Sequence, residues 1–153
     1  MIAVVIRPER ADHPQVVALL AALDAYLGSL YEPEANHILS IDELLAPEVS
    51  FYVARQGDRV VGTGATRCLP GEAYGEIKRM YVDPGLRGQR LGARLLATLE
   101  EAMRAQGLSL ARLETGAEQG EAVRLYERSG YTRCAAFGGY PDNGLSLFFE
   151  KPL

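Results

Sequence analysis

From position 81 to 96 the chain reads Tyr81-Val82-Asp83-Pro84-Gly85-Leu86-Arg87-Gly88-Gln89-Arg90-Leu91-Gly92-Ala93-Arg94-Leu95-Leu96. This is a strand end, a basic glycine-containing turn, then an amphipathic helix. A strand that runs through glycines into a helix leaves backbone N–H groups unpaired, and the helix dipole adds partial positive charge at the same place. Phosphate groups bind such a terminus. Arg87, Arg90 and Arg94 supply full charges of the matching sign. The chemistry open to this stretch is to grip a phosphorylated cofactor. Without that role, the same residues are an ordinary strand–helix connection with solvated arginines. A P-loop is rejected, because the run from Gly85 to Gly92 lacks the Gly-Lys-Ser/Thr ending.

Other reactive groupings are few. Cys68 and Cys134 stand alone, without CxxC or metal-ligand spacing, and read as free buried thiols. His13 and His37 are the only histidines, so no multi-histidine metal site is expected. No Ser or Cys sits in a G-x-S-x-G elbow, and Gly62 and Gly64 lack the third glycine of a dinucleotide fingerprint. Those two glycines instead suggest close packing or a bulge inside a strand.

A length of 153 residues suits one domain, 1–153, with one core. A net charge of -4 argues against bulk nucleic-acid binding. No apolar run approaches the ~20 residues of a membrane span, and the short apolar start lacks a signal peptide's basic region. The expectation is a cytoplasmic protein with neither membrane nor nucleic-acid partner. A homodimer is the default if it oligomerises.

The elements that must position the basic turn can be read from period and punctuation. Residues 2–7 form a strand. Asp12 caps a helix with Pro14 in its first turn, which Gly28 stops. A short helix capped by Ser40 or Asp42 runs to Leu45. Strands at 51–55 and 60–66 make a hairpin through Gln56-Gly57-Asp58-Arg59, and 74–82 is the next strand. The helix from Leu91 or Gly92 carries Leu95, Leu96, Leu99, Ala102 and Met103 on one side and closes at Gly107. A strand at 108–114, a helix at 121–128 and strands at 131–135 and 145–150 complete the chain. Strands 74–82 and 108–114 are joined through a helix, so they are parallel. The fold class is α/β (α+β): a single mixed, mostly antiparallel sheet of about six or seven strands, with helices on both faces.

Two motifs then resemble a known family. Arg87-Gly88-Gln89-Arg90-Leu91-Gly92 is similar to the acyl-CoA loop, Q/R-x-x-G-x-G/A, of the GNAT superfamily of N-acetyltransferases. Gln119-Gly120-Glu121-Ala122-Val123-Arg124-Leu125-Tyr126-Glu127-Arg128-Ser129-Gly130-Tyr131 is similar to its second signature, N-x-x-A-x-x-L-Y-x-x-x-G-F/Y. The resemblance covers residues 74–131 by motif and the whole chain by element order. Two positions depart from the pattern. Arg90 replaces the first glycine, retaining the N–H but requiring a backbone conformation that arginine tolerates. Gln119 stands where asparagine is common.

The resemblance implies acetyl-CoA wedged where the central parallel strands splay. Its pyrophosphate would lie on the amides of Gly88, Gln89, Arg90, Leu91, Gly92 and Ala93, beside Arg87. Its pantetheine arm would follow the backbone of Met80, Tyr81 and Val82, with Gln119, Ala122 and Tyr126 on the far side. Tyr126 is the implied acid for the departing thiolate and Glu76 the implied base. Alternation expects Glu76, Lys78, Met80 and Val82 on one strand face. Tyr31, Glu32, Glu34 and His37, with Tyr140, fall where family members build the acceptor pocket; His37 is an alternative proton relay. The activity implied is acetyl transfer to a primary amine of a small molecule by direct attack in a ternary complex. A protein or peptide N-acetyltransferase and a non-catalytic acyl-CoA-binding module are the alternatives.

Overall fold

The structure is a computed structural model that describes residues 3–33, 37–86 and 88–153. Seven strands form one sheet in the order β1-β2-β3-β4-β5-β7-β6. They are β1 (Val4–Pro8), β2 (Val49–Gln56), β3 (Arg59–Arg67), β4 (Gly75–Val82), β5 (Leu110–Gly116), β6 (Thr132–Arg133) and β7 (Ser146–Pro152). The helices are α1 (Pro14–Leu30), α2 (Ile41–Leu44), α3 (Leu91–Ala105) and α4 (Gly120–Arg128). Every pairing is antiparallel except β4 with β5, which is parallel. The expected fold class and the parallel pair are therefore both present.

The two faces carry separate cores. Val16 and Leu20 of α1 and Leu44 of α2 pack with Phe51, Val53 and Ala65 on one face. On the other, Leu96, Leu99 and Met103 of α3 and Tyr126 of α4 pack with Ile77, Leu113 and Phe149. Gly62 and Gly64 let α3 lie close to the sheet: a Cβ at Gly62 would meet Leu95 at 3.1 Å, and one at Gly64 would meet Leu99 at 3.0 Å. Close packing, read from the sequence at these glycines, is their role.

Gly64 also marks a bulge. Thr63 pairs with Tyr81 and Ala65 with Lys78, so Arg79 and Met80 together face Gly64 across the ladder. Arg79 takes φ 55 there, and its carbonyl accepts a bond from the Thr63 hydroxyl at 2.9 Å. The extra residue reverses the alternation of β4. Glu76 and Lys78 face the α1 side, whereas Met80 and Val82 pack with Leu91 and Leu95 on the α3 side. The expectation that all four share one face is corrected by this bulge.

The parallel pair is short. β4 and β5 are in register only at Gly75–Ala111, Glu76–Arg112 and Ile77–Leu113. Beyond Ile77 the register between the two strands ends and they diverge.

Helix ends differ from expectation in two places. His13, not Asp12, caps α1, its ring nitrogen accepting the Gln15 amide at 3.1 Å, because Asp12 is held by Arg10. Gly28 does not stop α1, which runs to Leu30 and ends at Tyr31. Ser40 caps α2 in a reciprocal box with Glu43, as one of the two expected caps. Among the described residues no helix is long and apolar enough to cross a membrane.

Candidate functional site

Two spaces that share lining residues lie where β4 and β5 diverge. The larger, about 820 Å³, runs between the free edge of β4, the turn before α3 and the outer side of α4. Met80, Tyr81 and Val82 line it from β4, Gly88 and Arg90 from the turn, and Leu91, Gly92 and Ala93 from the first turn of α3. Gln119, Ala122 and Tyr126 close it from α4, where Arg124 and Arg128 add positive charge. Gln89 is not part of this lining, and Arg87 lies outside the described residues.

The turn has the geometry of an anion cradle. Gly88 takes φ 87, and Arg90 precedes α3 at φ 61, ψ 19 without a side-chain cap. The first amides of α3 thus have no capping side chain from Arg90 and face the groove with the helix dipole behind them. Arg90 thus holds a left-handed conformation that favours glycine, rather than the readily tolerated one expected from the sequence.

The smaller space, about 90 Å³, lies under α1 on the opposite side of the β4 edge. His37, Lys78, Arg79, Glu114 and Ser146 provide its charged and polar wall, and Leu27, Leu39 and Ile77 its apolar wall. Leu23, Met80, Gln119 and Tyr126 border both spaces. The Tyr126 ring is held against Tyr131 and Phe149, and burial pushes its phenol well above the ordinary tyrosine range. It is therefore a neutral hydrogen-bond donor at pH 7.

The residues expected around the acceptor have divergent positions. His37 lines the small cavity, its Nδ1 lying 3.1 Å from Glu114 Oε2. Tyr31 lines it too, but its hydroxyl accepts the Glu118 amide at 2.9 Å and sits over Gly116, where a Cβ would come within 1.9 Å. It clamps the β5–α4 loop to the end of α1. Glu32 is exposed and lines neither space, and Glu34 lies outside the described residues. Tyr140 is one layer back: its hydroxyl donates to Glu76 at 2.5 Å and accepts from Lys78 at 2.8 Å.

Glu76 is behind the cavity wall. Its side chain is 5% exposed, with one oxygen 3.1 Å from Arg67 and the other on Tyr140, and Lys78 Nζ lies 3.7 Å away. Burial lowers the Lys78 pKa, opposed by the Glu76 charge. Arg79 is ion-paired with Asp24 of α1.

Glu114 and Ser146 are the residues sequence reasoning passed over. Glu114 sits just before Thr115-Gly116, at the C-terminal end of a parallel strand. That strand-end position, where ligands of open sheets gather, was the available signal. Its Oε2 accepts the Ser146 hydroxyl at 2.6 Å.

The model of the acetyltransferase (GNAT) family matches residues 16–131, about three quarters of the chain. The chain belongs to this family. The GNAT chain is 46% identical over 138 residues to the IAA acetyltransferase of Azospirillum brasilense, covering 90% of each. It is 36% identical over 92 residues to the aminoalkylphosphonate N-acetyltransferase of Salmonella typhimurium, covering 58% of this chain and 60% of that one. A crystal structure of a Klebsiella pneumoniae protein assigned as an acyl-CoA N-acyltransferase superposes with a TM-score of 0.84 at 39% identity, covering 98% and 97%. The GNAT protein is thus an acyl-CoA-dependent N-acyltransferase that uses acetyl-CoA. The larger groove suits that donor: a strand segment beyond the β4–β5 register for amide groups, a helix terminus for phosphates, and flanking arginines.

Proposed function

We propose that this enzyme acetylates the primary amine of a small molecule by direct attack in a ternary complex. The observation that carries the reading is the meeting of a donor-sized groove and an approximately 90 Å³ cavity at Tyr126 and Met80. An amine in the cavity and a thioester in the groove would then share one partition. The modest size of the cavity favours a compact acceptor over a folded protein, and its wall carries charges of both signs, Glu114 beside Lys78 and Arg79.

In this reading the amides at 88–93 hold the pyrophosphate, and the free edge of Met80 and Val82 pairs with the pantetheine arm. Acetyl-CoA, consumed as a substrate, supplies the thioester carbonyl. A backbone N–H of β4 past the bulge stabilises the developing oxyanion. Tyr126 donates a hydrogen bond to the departing sulfur. Cys68 and Cys134 line neither space, which favours attack without a cysteine-bound acyl group.

The test is thiol release from acetyl-CoA with a panel of small amines, amino acids, aminophosphonates, polyamines and peptides. Turnover of compact primary amines with intersecting initial-rate lines is expected. Turnover of peptides alone, or parallel lines with an acetylated enzyme by mass spectrometry, would refute the proposal.

Arg90 gives a separate expectation. Its left-handed conformation costs a non-glycine residue about 1–2 kcal/mol, and glycine loses about 0.5–1 kcal/mol of that gain to unfolded-state freedom. Arg90→Gly should leave urea stability unchanged or raise it by up to about 1.5 kcal/mol. The same variant should weaken acetyl-CoA binding, because it removes one charge beside the phosphates.

A further inference from the structure

We propose that His37 is the proton acceptor for the incoming ammonium, with Glu114 and Ser146 fixing its tautomer. The proposal rests on the small-amine reading above and deepens it. An alkyl ammonium, with a pKa of about 10.4, has no lone pair until it loses a proton. The acceptor of that proton must border the cavity and have a free site.

Among the described residues, Glu114 is the one carboxylate in the cavity lining and His37 the one imidazole. Glu76 is outside that lining and has both oxygens engaged, by Arg67 and Tyr140. Lys78 borders the cavity, but its Nζ donates to the His37 carbonyl at 2.9 Å and to Tyr140 at 2.8 Å.

Glu114 and His37 divide the work. A carboxylate has no hydrogen to give, so in the 3.1 Å contact it is His37 Nδ1 that carries the proton. The lone pair of the neutral ring is then on Nε2. Ser146 donates 2.6 Å to the same Glu114 oxygen and holds the carboxylate in place. The ring is further fixed by a tilted contact with Tyr140, its centroid 5.0 Å away. The groups facing His37 are thus Glu114 from β5, Ser146 from β7, Lys78 from β4 and Tyr140 from the last loop, with Arg79 on the same cavity wall.

The step balances as follows. One ammonium proton passes to Nε2. The freed nitrogen lone pair attacks the thioester carbonyl carbon, the C–N bond forms and the C–S bond breaks. The thiolate takes a proton from Tyr126, which regains one from the product nitrogen. His37 returns its proton to solvent, so the net products are amide, thiol and one proton.

The experiment measures kcat against pH with the best amine found, and acetyl-CoA affinity by calorimetry, for wild type, His37→Gln, His37→Ala, Glu114→Gln and Glu76→Gln. His37→Gln should lower kcat at neutral pH by roughly 10–100-fold, within the usual range of general-base effects or just below it, with acetyl-CoA Kd unchanged. The loss should shrink as pH rises toward the amine's own pKa. His37→Ala should recover activity with added imidazole, Glu114→Gln should lower kcat, and the acidic limb of the wild-type profile should be lost in His37→Gln. An unchanged limb in His37→Gln, or its loss in Glu76→Gln instead, overturns the assignment while leaving the small-amine reading standing. A wild type that binds acetyl-CoA but turns over no small amine overturns both.

Discussion

Tyr126→Phe should lower kcat by roughly 10–100-fold, at or below the lower end of the ~100–10,000-fold typical of a lost acid–base group, and leave acetyl-CoA affinity within about twofold. The substitution removes a single oxygen. The ring keeps its contacts with Tyr131 and Phe149, so neither the α4 packing nor the groove wall changes shape. Tyr126 borders both spaces, and the proposed mechanism has its hydroxyl donate to the departing sulfur. Burial raises its pKa, so the phenol is protonated across the working range and no alkaline limb below pH 9 should be traceable to it. Stopped-flow thiol release with saturating donor reads kcat, and calorimetry reads affinity. An unchanged kcat would remove Tyr126 from the chemistry.

Gly92→Asp should raise the acetyl-CoA Kd by roughly 10–100-fold, equivalent to about 1.4–2.7 kcal/mol. Gly92 is in the first turn of α3 and lines the groove. A carboxylate there stabilises a helix terminus by itself, yet it competes with the phosphates for the same amides and repels them. Fold and binding therefore respond in opposite directions. The new Cβ would sit 2.9 Å from Leu125 Cδ2, a flexible side-chain end on α4, so a small packing cost accompanies the change. Gly92→Ala isolates that packing cost, and the difference between the two variants is electrostatic. Equal Kd values in Gly92→Asp and wild type would move the phosphate site elsewhere.

Both variants probe features that were legible in the sequence. The turn before α3 announced itself through glycines, arginines and the start of a 3.6-residue apolar period at Leu91, Leu95, Leu96 and Leu99. The hairpin and the parallel crossover followed from turn residues and the intervening helix. The bulge was only half legible. Gly62 and Gly64 suggested close packing or a bulge in their own strand, but Lys78-Arg79-Met80 contains no glycine to place the extra residue on β4, and its position is set by register against β3, a non-local property. Missing it placed Met80 and Val82 on the wrong face.

The acceptor side was less readable for a related reason. Glu114 sits among alternating residues of β5, where a charge reads as a solvent-facing position. Its partners, His37 and Ser146, are 77 and 32 positions away and meet it only once α1 and β7 are docked. Glu76, by contrast, had an implied role but folds behind Lys78 and Tyr140. The α1 cap went to His13 because Arg10 occupies Asp12, a competition between neighbours that residue preference does not rank.

The partition of Leu23, Met80, Gln119 and Tyr126 has an evolutionary corollary. Part of the small cavity's wall, from His37 to Leu39 and at Leu145 and Ser146, belongs to segments that do not border the larger groove. Drift in those segments can retune which nucleophile is accepted while the coenzyme grip is inherited intact. Paralogues of this enzyme should accordingly diverge fastest along those two stretches, and swapping them between paralogues should transplant preference without rebuilding the catalyst.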